Sequence, residues 1–106
     1  MIIKQAEQPS VQMIAGVQRK TLAVGEKSML VKFELEAGAV IPPHSHPHEQ
    51  IGCLLSGRLV FIVDGKEYPA GPGDSWAFPG GVQHAVQVVE QAEVVEVFIP
   101  IREDYR

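Results

Sequence analysis

The sequence predicts an all-β protein, and three observations lead to that prediction. Short apolar segments alternate with polar positions, and no window shows a sustained helical period. Ten glycines and eight prolines separate these segments at fairly even spacing. Strands this short and evenly spaced are typical of a sandwich or a jelly roll, in which closing the sheet hides edges that would otherwise aggregate.

The predicted strands can be placed along the chain in order. Residues 29–36 alternate apolar and more polar side chains, which predicts a strand with one face in a core. The Asp64-Gly65 pair predicts a tight hairpin turn, because such a turn needs backbone with positive φ. The hairpin joins predicted strands at residues 58–63 and 66–68. The other predicted strands are residues 51–56, 75–78, 84–89 and 93–99.

The chain length indicates one domain over residues 1–106. A chain of 106 residues can bury a single core but is marginal unless it closes a barrel or dimerises. Residues 1–10 are expected to form an N-terminal arm that could pair with a second subunit. The predicted assembly is therefore a homodimer.

Charge and hydropathy exclude several classes of partner. The net charge is −4, and lysines and arginines are dispersed without a basic stripe, so nucleic acid is not an expected partner. No apolar run approaches the length of a membrane span, and the N-terminus lacks the pattern of a secretory signal. We therefore predict a cytoplasmic protein that binds no membrane. Cys53 is the only cysteine, so an intrachain disulfide is impossible.

A histidine cluster predicts a metal site. His44 and His46 are separated by one residue, so both imidazoles would point to one face of an extended backbone, and Gln50 has the same parity. If the strand containing His84 lies alongside, three imidazole nitrogens and one amide oxygen can surround one ion and leave positions open. These ligand types suit Ni, Zn, Fe, Co or Mn and do not identify the metal.

Two neighbouring residues are alternatives to this ligand set. Glu49 could replace Gln50, but its side chain would point to the opposite face of the strand. His48 shares the parity of the pair, yet Pro47 interrupts the strand before it. We therefore expect His48 to be a loop residue near the site rather than a ligand.

These motifs resemble those of the cupin superfamily. That family's first motif is matched over residues 38–57 and its second over residues 73–88. The matching positions are Gly38, His44, His46, position 50 and Gly57 in the first motif, and Gly73, Pro79, Gly81 and His84 in the second. The resemblance implies a cupin jelly roll, a double-stranded β-helix barrel, with one bound divalent transition metal.

The sequence departs from the cupin pattern at two positions. Gln50 replaces the usual Glu ligand, and Val88 replaces an Asn. Three imidazoles and an amide carry no charge, so they leave the positive charge of a metal ion uncompensated. Such a centre favours an anionic substrate and Lewis-acid chemistry over redox chemistry.

A narrower resemblance is to the pectin-degradation cupins of the KdgF type. That family converts 4,5-unsaturated monouronates from pectin or alginate into linear keto forms. Its acidic residue, phenylalanine and arginine near the C-terminus correspond here to Glu96, Phe98 and Arg102, with Glu where Asp is expected. The resemblance implies metal-dependent ring opening and ketonisation of a small anionic sugar, with no external cofactor beyond the metal.

The residues themselves agree with these roles without requiring them. Glu96 and Phe98 share a strand face, and an arginine fork such as Arg102 binds a carboxylate with two hydrogen bonds. Taken singly, the same residues could be a solvated strand residue, a core residue and a surface ion pair. A metal-dependent dioxygenase and a sugar- or metabolite-binding cupin without catalysis are the alternative functions.

Overall fold

The computed structural model describes all residues, 1–106, and its structure is almost entirely β. Apart from the strands there are only two short 3₁₀ helices, Gln5–Glu7 and Glu103–Tyr105. The eight strands are β1 (Val11–Ile14), β2 (Val17–Val24), β3 (Met29–Leu35), β4 (Val40–His44), β5 (Glu49–Val63), β6 (Lys66–Ala70), β7 (Ser75–Phe78) and β8 (His84–Ile99). The prediction of an all-β jelly roll is confirmed.

Two long strands, β5 and β8, organise the fold. They pair antiparallel along their length, and β3 pairs with the C-terminal half of β8 while β4 pairs with its N-terminal half. On the other side of β5, β7 pairs with its beginning and β6 with its end. The strands therefore form two packed halves, in the orders β1-β2-β3-β8-β5-β7 and β4-β8-β5-β6. No pairing joins β6 to β7, so the barrel is open on that side.

The sequence divided each long strand in two, and this prediction was wrong. The chain continues through both predicted breaks, and the register between β5 and β8 shifts where the strands bend. Gly57 lies at this bend with φ of 91°, where a Cβ would come 2.2 Å from the carbonyl oxygen of Gln91. Only glycine fits so close to the facing backbone, so the last glycine of the first cupin motif marks a bend and not a strand end.

The remaining local predictions agree with the structure. The hairpin between β5 and β6 turns through Asp64 and Gly65, with φ of 52° and 73°. One face of β3 is buried, as its alternation predicts, and packs into the hydrophobic core between the two halves. The core residues are Val17, Met29, Val31, Phe33, Leu35, Leu54, Leu59, Phe61, Val86, Val88, Ala92, Val94 and Phe98.

Polar side chains are also buried, and most of them lie together. Apart from Lys32, the buried polar residues are Gln50, His84 and Glu96, on the two long central strands. Gln50 on β5 pairs with Phe98 on β8, and the side chain of Glu96 points to the same inward face of β8 as that of Phe98. Burying polar groups is unfavourable unless they are paired, so this concentration points to a built site at one end of the core.

The N-terminal segment lies outside the strands and is largely exposed. Lys20 and Lys32 each donate a hydrogen bond of 3.3 Å to Gln5, which attaches the segment to the outer face of β2 and β3. Its pairing with a second subunit stays a prediction. None of the helices is long and apolar enough to cross a membrane.

Candidate active site

Three histidines from two segments of the chain, around residue 45 and at residue 84, meet at the end of the barrel. His44 ends β4 and is the register partner of His84, which begins β8. His46 lies in the loop of residues 45–48, so the expected strand parity does not explain its position. The loop brings its ring 5.4 Å from that of His84. The potential ligand atoms of the three histidines all lie within 4.8 Å of one another.

Backbone carbonyls fix the orientation of all three rings. The Nδ1 atoms of His44, His46 and His84 lie 3.0, 3.0 and 2.9 Å from the carbonyl oxygens of Pro42, His48 and Val82. A carbonyl oxygen can only accept, so each Nδ1 must carry the proton. In its neutral form each ring would therefore present an unprotonated Nε2, which is the atom that a metal ion needs.

Gln50 supplies an oxygen to the same group. Its side chain is buried at the start of β5, and its Nε2 donates a hydrogen bond to Oε2 of Glu96. The amide oxygen consequently faces His46, with Oε1 2.9 Å from Nε2 of that ring. Glu49 is exposed and belongs to the opposite face of β5. Gln50 therefore faces the histidines and Glu49 does not.

Three features of this group fit a divalent cation. Burial lowers the pKa of His46, with a further contribution from the charge of Arg102, so the ring is neutral near pH 7. Its bare Nε2 and the oxygen of Gln50 are then two acceptors that face each other at 2.9 Å. Two adjacent ligands that each lie about 2.1 Å from the same metal ion have a similar spacing. Nε2 of His84 is buried without any hydrogen-bond partner, and burial also lowers the pKa of that ring.

Glu96 on β8, one of the predicted catalytic residues, faces this group from the side. It is 8% exposed, and burial raises the pKa of its carboxyl, opposed in part by hydrogen bonds from Trp76 and Gln50. Nε1 of Trp76 donates to Oε2 at 2.9 Å, and Gln50 donates to the same oxygen. The alternative for Glu96, a solvated strand residue, is therefore ruled out. Oε1 is left without a protein donor, as a proton-transfer group requires.

Arg102 lies beyond Phe98 at the C-terminal end of the site. Its guanidinium stacks on Tyr105 at 3.9 Å from the ring centroid and lies 5.2 Å from that of Phe98. Its side chain is 13% exposed and pairs with Asp104 at 3.0 Å. Burial alone would raise the pKa of Asp104, but the hydrogen bond and charge of Arg102 outweigh it and lower that pKa. Arg102 is thus a largely enclosed cation that pairs with one carboxylate and stacks on Tyr105.

A cavity of about 240 Å³ connects these groups. It is small for a ligand pocket and suits a molecule of monosaccharide size. Its walls are mostly apolar, and its polar lining converges from several strands. The lining includes His44, Gln50, Trp76, His84, Glu96, Phe98, Arg102 and Tyr105. The structure therefore brings the predicted catalytic residues to the same space as three of the four predicted ligands, His44, Gln50 and His84.

Two residues of the site were missed by the sequence analysis, Trp76 and Tyr105. Trp76 is the only tryptophan and alternates with Phe78 on the inner face of β7, which was a usable signal. Tyr105 closes the cavity because its carbonyl oxygen accepts hydrogen bonds from Arg19 and Thr21 of β2. That contact spans most of the chain and leaves no local pattern. His48 lies beside His46, and its carbonyl orients that ring, so its expected place outside the ligand group agrees with the structure.

Comparison with known proteins agrees with this architecture. The sequence matches the cupin domain over residues 31–100, which includes both histidine motifs. The chain belongs to the cupin family. Its structure superposes on that of KdgF from Halomonas sp. with a TM-score of 0.91 and 29% identity, covering 98% of this chain and 96% of the other. An RmlC-like cupin from Shewanella frigidimarina gives a TM-score of 0.93 at 26% identity, covering 99% and 95% of the two chains.

Curated relatives within the cupins include enzymes of different kinds. The pectin degradation protein KdgF of Dickeya dadantii is 27% identical over 92 residues, which covers 85% of this chain and 84% of the relative. Oxalate decarboxylase OxdC of Bacillus subtilis is 33% identical over 85 residues, but these cover 74% of this chain and only 22% of the decarboxylase. The match therefore covers most of the length of KdgF but only about a fifth of the length of OxdC.

Proposed function

We propose that this cupin is a metal-dependent enzyme that opens the ring of a 4,5-unsaturated monouronate and converts it to the linear keto form. One observation carries the proposal most directly. A buried carboxyl, Glu96, and two of the three clustered histidines, His44 and His84, line one small cavity, and the amide of Gln50 contacts both Glu96 and the third histidine, His46. A structural metal site in a binding protein would not need a buried, titratable group beside it.

The relatives support the choice of substrate. Similarity over most of the chain to two KdgF proteins, one of them named for pectin degradation, favours a product of pectin as the ligand. The cavity volume of about 240 Å³ suits one sugar ring rather than a chain. A uronate also carries a carboxylate, which the positive charge of Arg102 at the end of the cavity would attract.

Binding would depend on Arg102 and Phe98. When bound by His44, His46, Gln50 and His84, a divalent metal would supply Lewis-acid stabilisation to negative charge developing on the substrate oxygens. The guanidinium of Arg102 now pairs with Asp104, which is largely exposed and can return to water. The substrate carboxylate would take its place in a bidentate contact. Phe98 would form the wall that orients the ring.

Glu96 would carry the proton in the reaction. Its free oxygen would take the proton from the hemiacetal hydroxyl on C1. A carbonyl then forms at C1, the bond from C1 to the ring oxygen breaks, and its electron pair leaves an enolate whose oxygen is attached to C5. Glu96 would deliver the proton to C4, which converts the enolate to a ketone. The reaction is an isomerisation, and a carboxyl with a raised pKa is suited to accept and return the same proton.

The test is incubation with 4,5-unsaturated galacturonate while following the loss of its ultraviolet absorbance. The protein should consume this substrate, lose activity with a chelator, and regain activity with an added divalent metal. Glu96→Gln should lower kcat by about 10²- to 10⁴-fold while metal content is unchanged, because the amide cannot exchange the proton. Glu67→Gln, on exposed β6, is the matched control.

Absence of turnover on unsaturated galacturonate and on the corresponding alginate-derived monouronate, with metal bound, would contradict the proposal. Oxygen uptake by the metal-loaded protein would point instead to the dioxygenase alternative. Full activity in Glu96→Gln would leave the reaction in place but remove Glu96 from it.

A further inference from the structure

Trp76, Gly52 and Glu96 form one row across three strands. Gly52 on β5 is the register partner of Trp76 on β7 and of Glu96 on β8. Neighbouring strands lie about 4.8 Å apart, so the backbones at positions 76 and 96, two strands apart, are separated by about 10 Å across the sheet. The indole nevertheless reaches across, and its Nε1 lies 2.9 Å from Oε2 of Glu96.

Gly52 makes this contact possible. A Cβ at position 52 would lie 2.4 Å from Nε1 of Trp76 and 2.5 Å from its Cε2, so any side chain there would displace the indole. Gly52 has no positive φ, so backbone conformation does not require glycine at this position. The requirement comes from the ring that lies on it.

Packing alone does not account for tryptophan at position 76. The indole contacts Phe61 with ring centroids 4.6 Å apart, and a phenyl ring could make a similar contact. A phenyl ring has no N–H to donate to the carboxylate, whereas the indole does. Together with Gln50, it places both protein donors on Oε2, while no protein donor contacts Oε1.

We propose that Trp76, extended over Gly52, is a positioning residue that holds one oxygen of Glu96 and leaves the other to exchange a proton with the substrate. This role rests on the proposed function, in which Glu96 acts on the sugar. It also relates to the departure at position 96, because a glutamate has one more rotatable bond than the expected aspartate. A second fixed donor restricts that added freedom.

Kinetics of three variants test the role. Trp76→Phe should lower kcat by about 10- to 100-fold, with KM and metal content nearly unchanged, since an orienting hydrogen bond is lost but no ligand is removed. Gly52→Ala should lower kcat similarly by moving the indole. The double variant should be no slower than the slower single variant, because both changes remove one contact. Gly71→Ala is the control, since its Cβ would meet nothing closer than 3.9 Å.

Fluorescence of the metal-free protein tests the contact independently of activity. Trp76 is the only tryptophan, so its emission can be assigned without ambiguity. Glu96→Gln should shift the emission maximum relative to wild type, because a neutral amide replaces a carboxyl at the indole N–H, whereas Glu67→Gln should not.

The outcomes separate this proposal from the proposed function. Wild-type kcat in Trp76→Phe would overturn the positioning role while the reaction stands. Identical emission in wild type and Glu96→Gln would overturn it whatever the activity. If the wild type turned over no unsaturated uronate, the proposed reaction would fail, and the emission comparison alone would decide whether Trp76 holds Glu96.

Discussion

The two sides of the cavity are built in different ways. On the histidine side, every ring is oriented by a carbonyl two residues away in the sequence, as for His84 and Val82. On the carboxyl side, Glu96 is held by Gln50 and Trp76, which lie 46 and 20 residues from it in the chain. The metal side is therefore determined by short segments, and the carboxyl side by the register of three strands.

This difference predicts that the two sides respond differently to substitution. Losing a histidine should strongly weaken metal binding, but the neighbouring ring orientations should persist because each has its own carbonyl. Losing a partner of Glu96 should leave the metal in place and change the reaction rate. Gln50 belongs to both sides, since its oxygen faces His46 and its nitrogen contacts Glu96.

The largest expected effect is from His84→Ala. The variant should lose more than about 100-fold in metal affinity, since even residues that only orient ligands contribute 10- to 100-fold. Uronate turnover should fall with it, and excess metal should restore only part of the activity. Metal content measured after dialysis, together with kcat at increasing metal concentration, checks this expectation.

His48→Ala is the matched control for that experiment. His48 orients His46 through its backbone carbonyl, which the substitution retains, so metal content should be close to wild type. Loss of metal in His48→Ala, or full metal content in His84→Ala, would contradict the ligand assignment.

The next effect in size concerns Arg102. Arg102→Ala should lower kcat/KM by about 10- to 100-fold, corresponding to the loss of a charge-assisted contact of about 1.5–3 kcal/mol, with metal content unchanged. Arg58→Ala, which removes an exposed pairing with Glu90, should have no effect on kinetics. Steady-state kinetics on the uronate provides the measurement, and an unaltered kcat/KM would remove Arg102 from substrate binding.

A feature of this fold could be predicted from the sequence when the contacts that determine it lie close together along the chain. The Asp64-Gly65 turn and the buried face of β3 depend on local preference and alternation, and both were predicted. The continuity of β5 and β8 was not, because Gly57 has the local appearance of a strand end. Its actual reason is the backbone of Gln91, which lies 34 residues away along the chain.

The same reasoning applies to the site. The histidines were identified because motif spacing is visible in sequence, although the strand parity first used to explain His46 was wrong. Glu96, Phe98 and Arg102 came from family resemblance, since each alone had an ordinary alternative. The alternation of Trp76 with Phe78 indicates an inward side chain, but its contact with Glu96 exists only after β5, β7 and β8 assemble. The contact of Tyr105 with Arg19 likewise exists only after the C-terminus packs on β2.

The smallest expected effect is on stability, and the two sides of the cavity respond to pH in opposite directions. The pKa values of His46 and His84 are lower in the folded protein than in the unfolded chain, where they are about 6.5. The stability that these two residues contribute is therefore present above pH 6.5 and is lost as the pH falls through their folded pKa values. The raised pKa of Glu96 contributes stability below the unfolded value of 4.5, which is lost as pH rises through the folded value.

At pH 8, well above the unfolded value of 4.5, the carboxyl of Glu96 ionises more readily in the unfolded chain than in the folded metal-free protein, which lowers stability. Glu96→Gln should therefore raise the Tm by a few degrees, since 1 kcal/mol corresponds to about 4–8 °C in a domain of this size. The advantage should shrink as the pH is lowered towards 4.5, where wild type also has a neutral carboxyl. Glu67→Gln should show no such trend, because Glu67 is exposed. Thermal unfolding followed across this pH range in the presence of a chelator measures the difference. A Tm advantage that grows on acidification would mean that Glu96 is stabilised as the carboxylate by Trp76 and Gln50, reversing the direction assigned to its pKa.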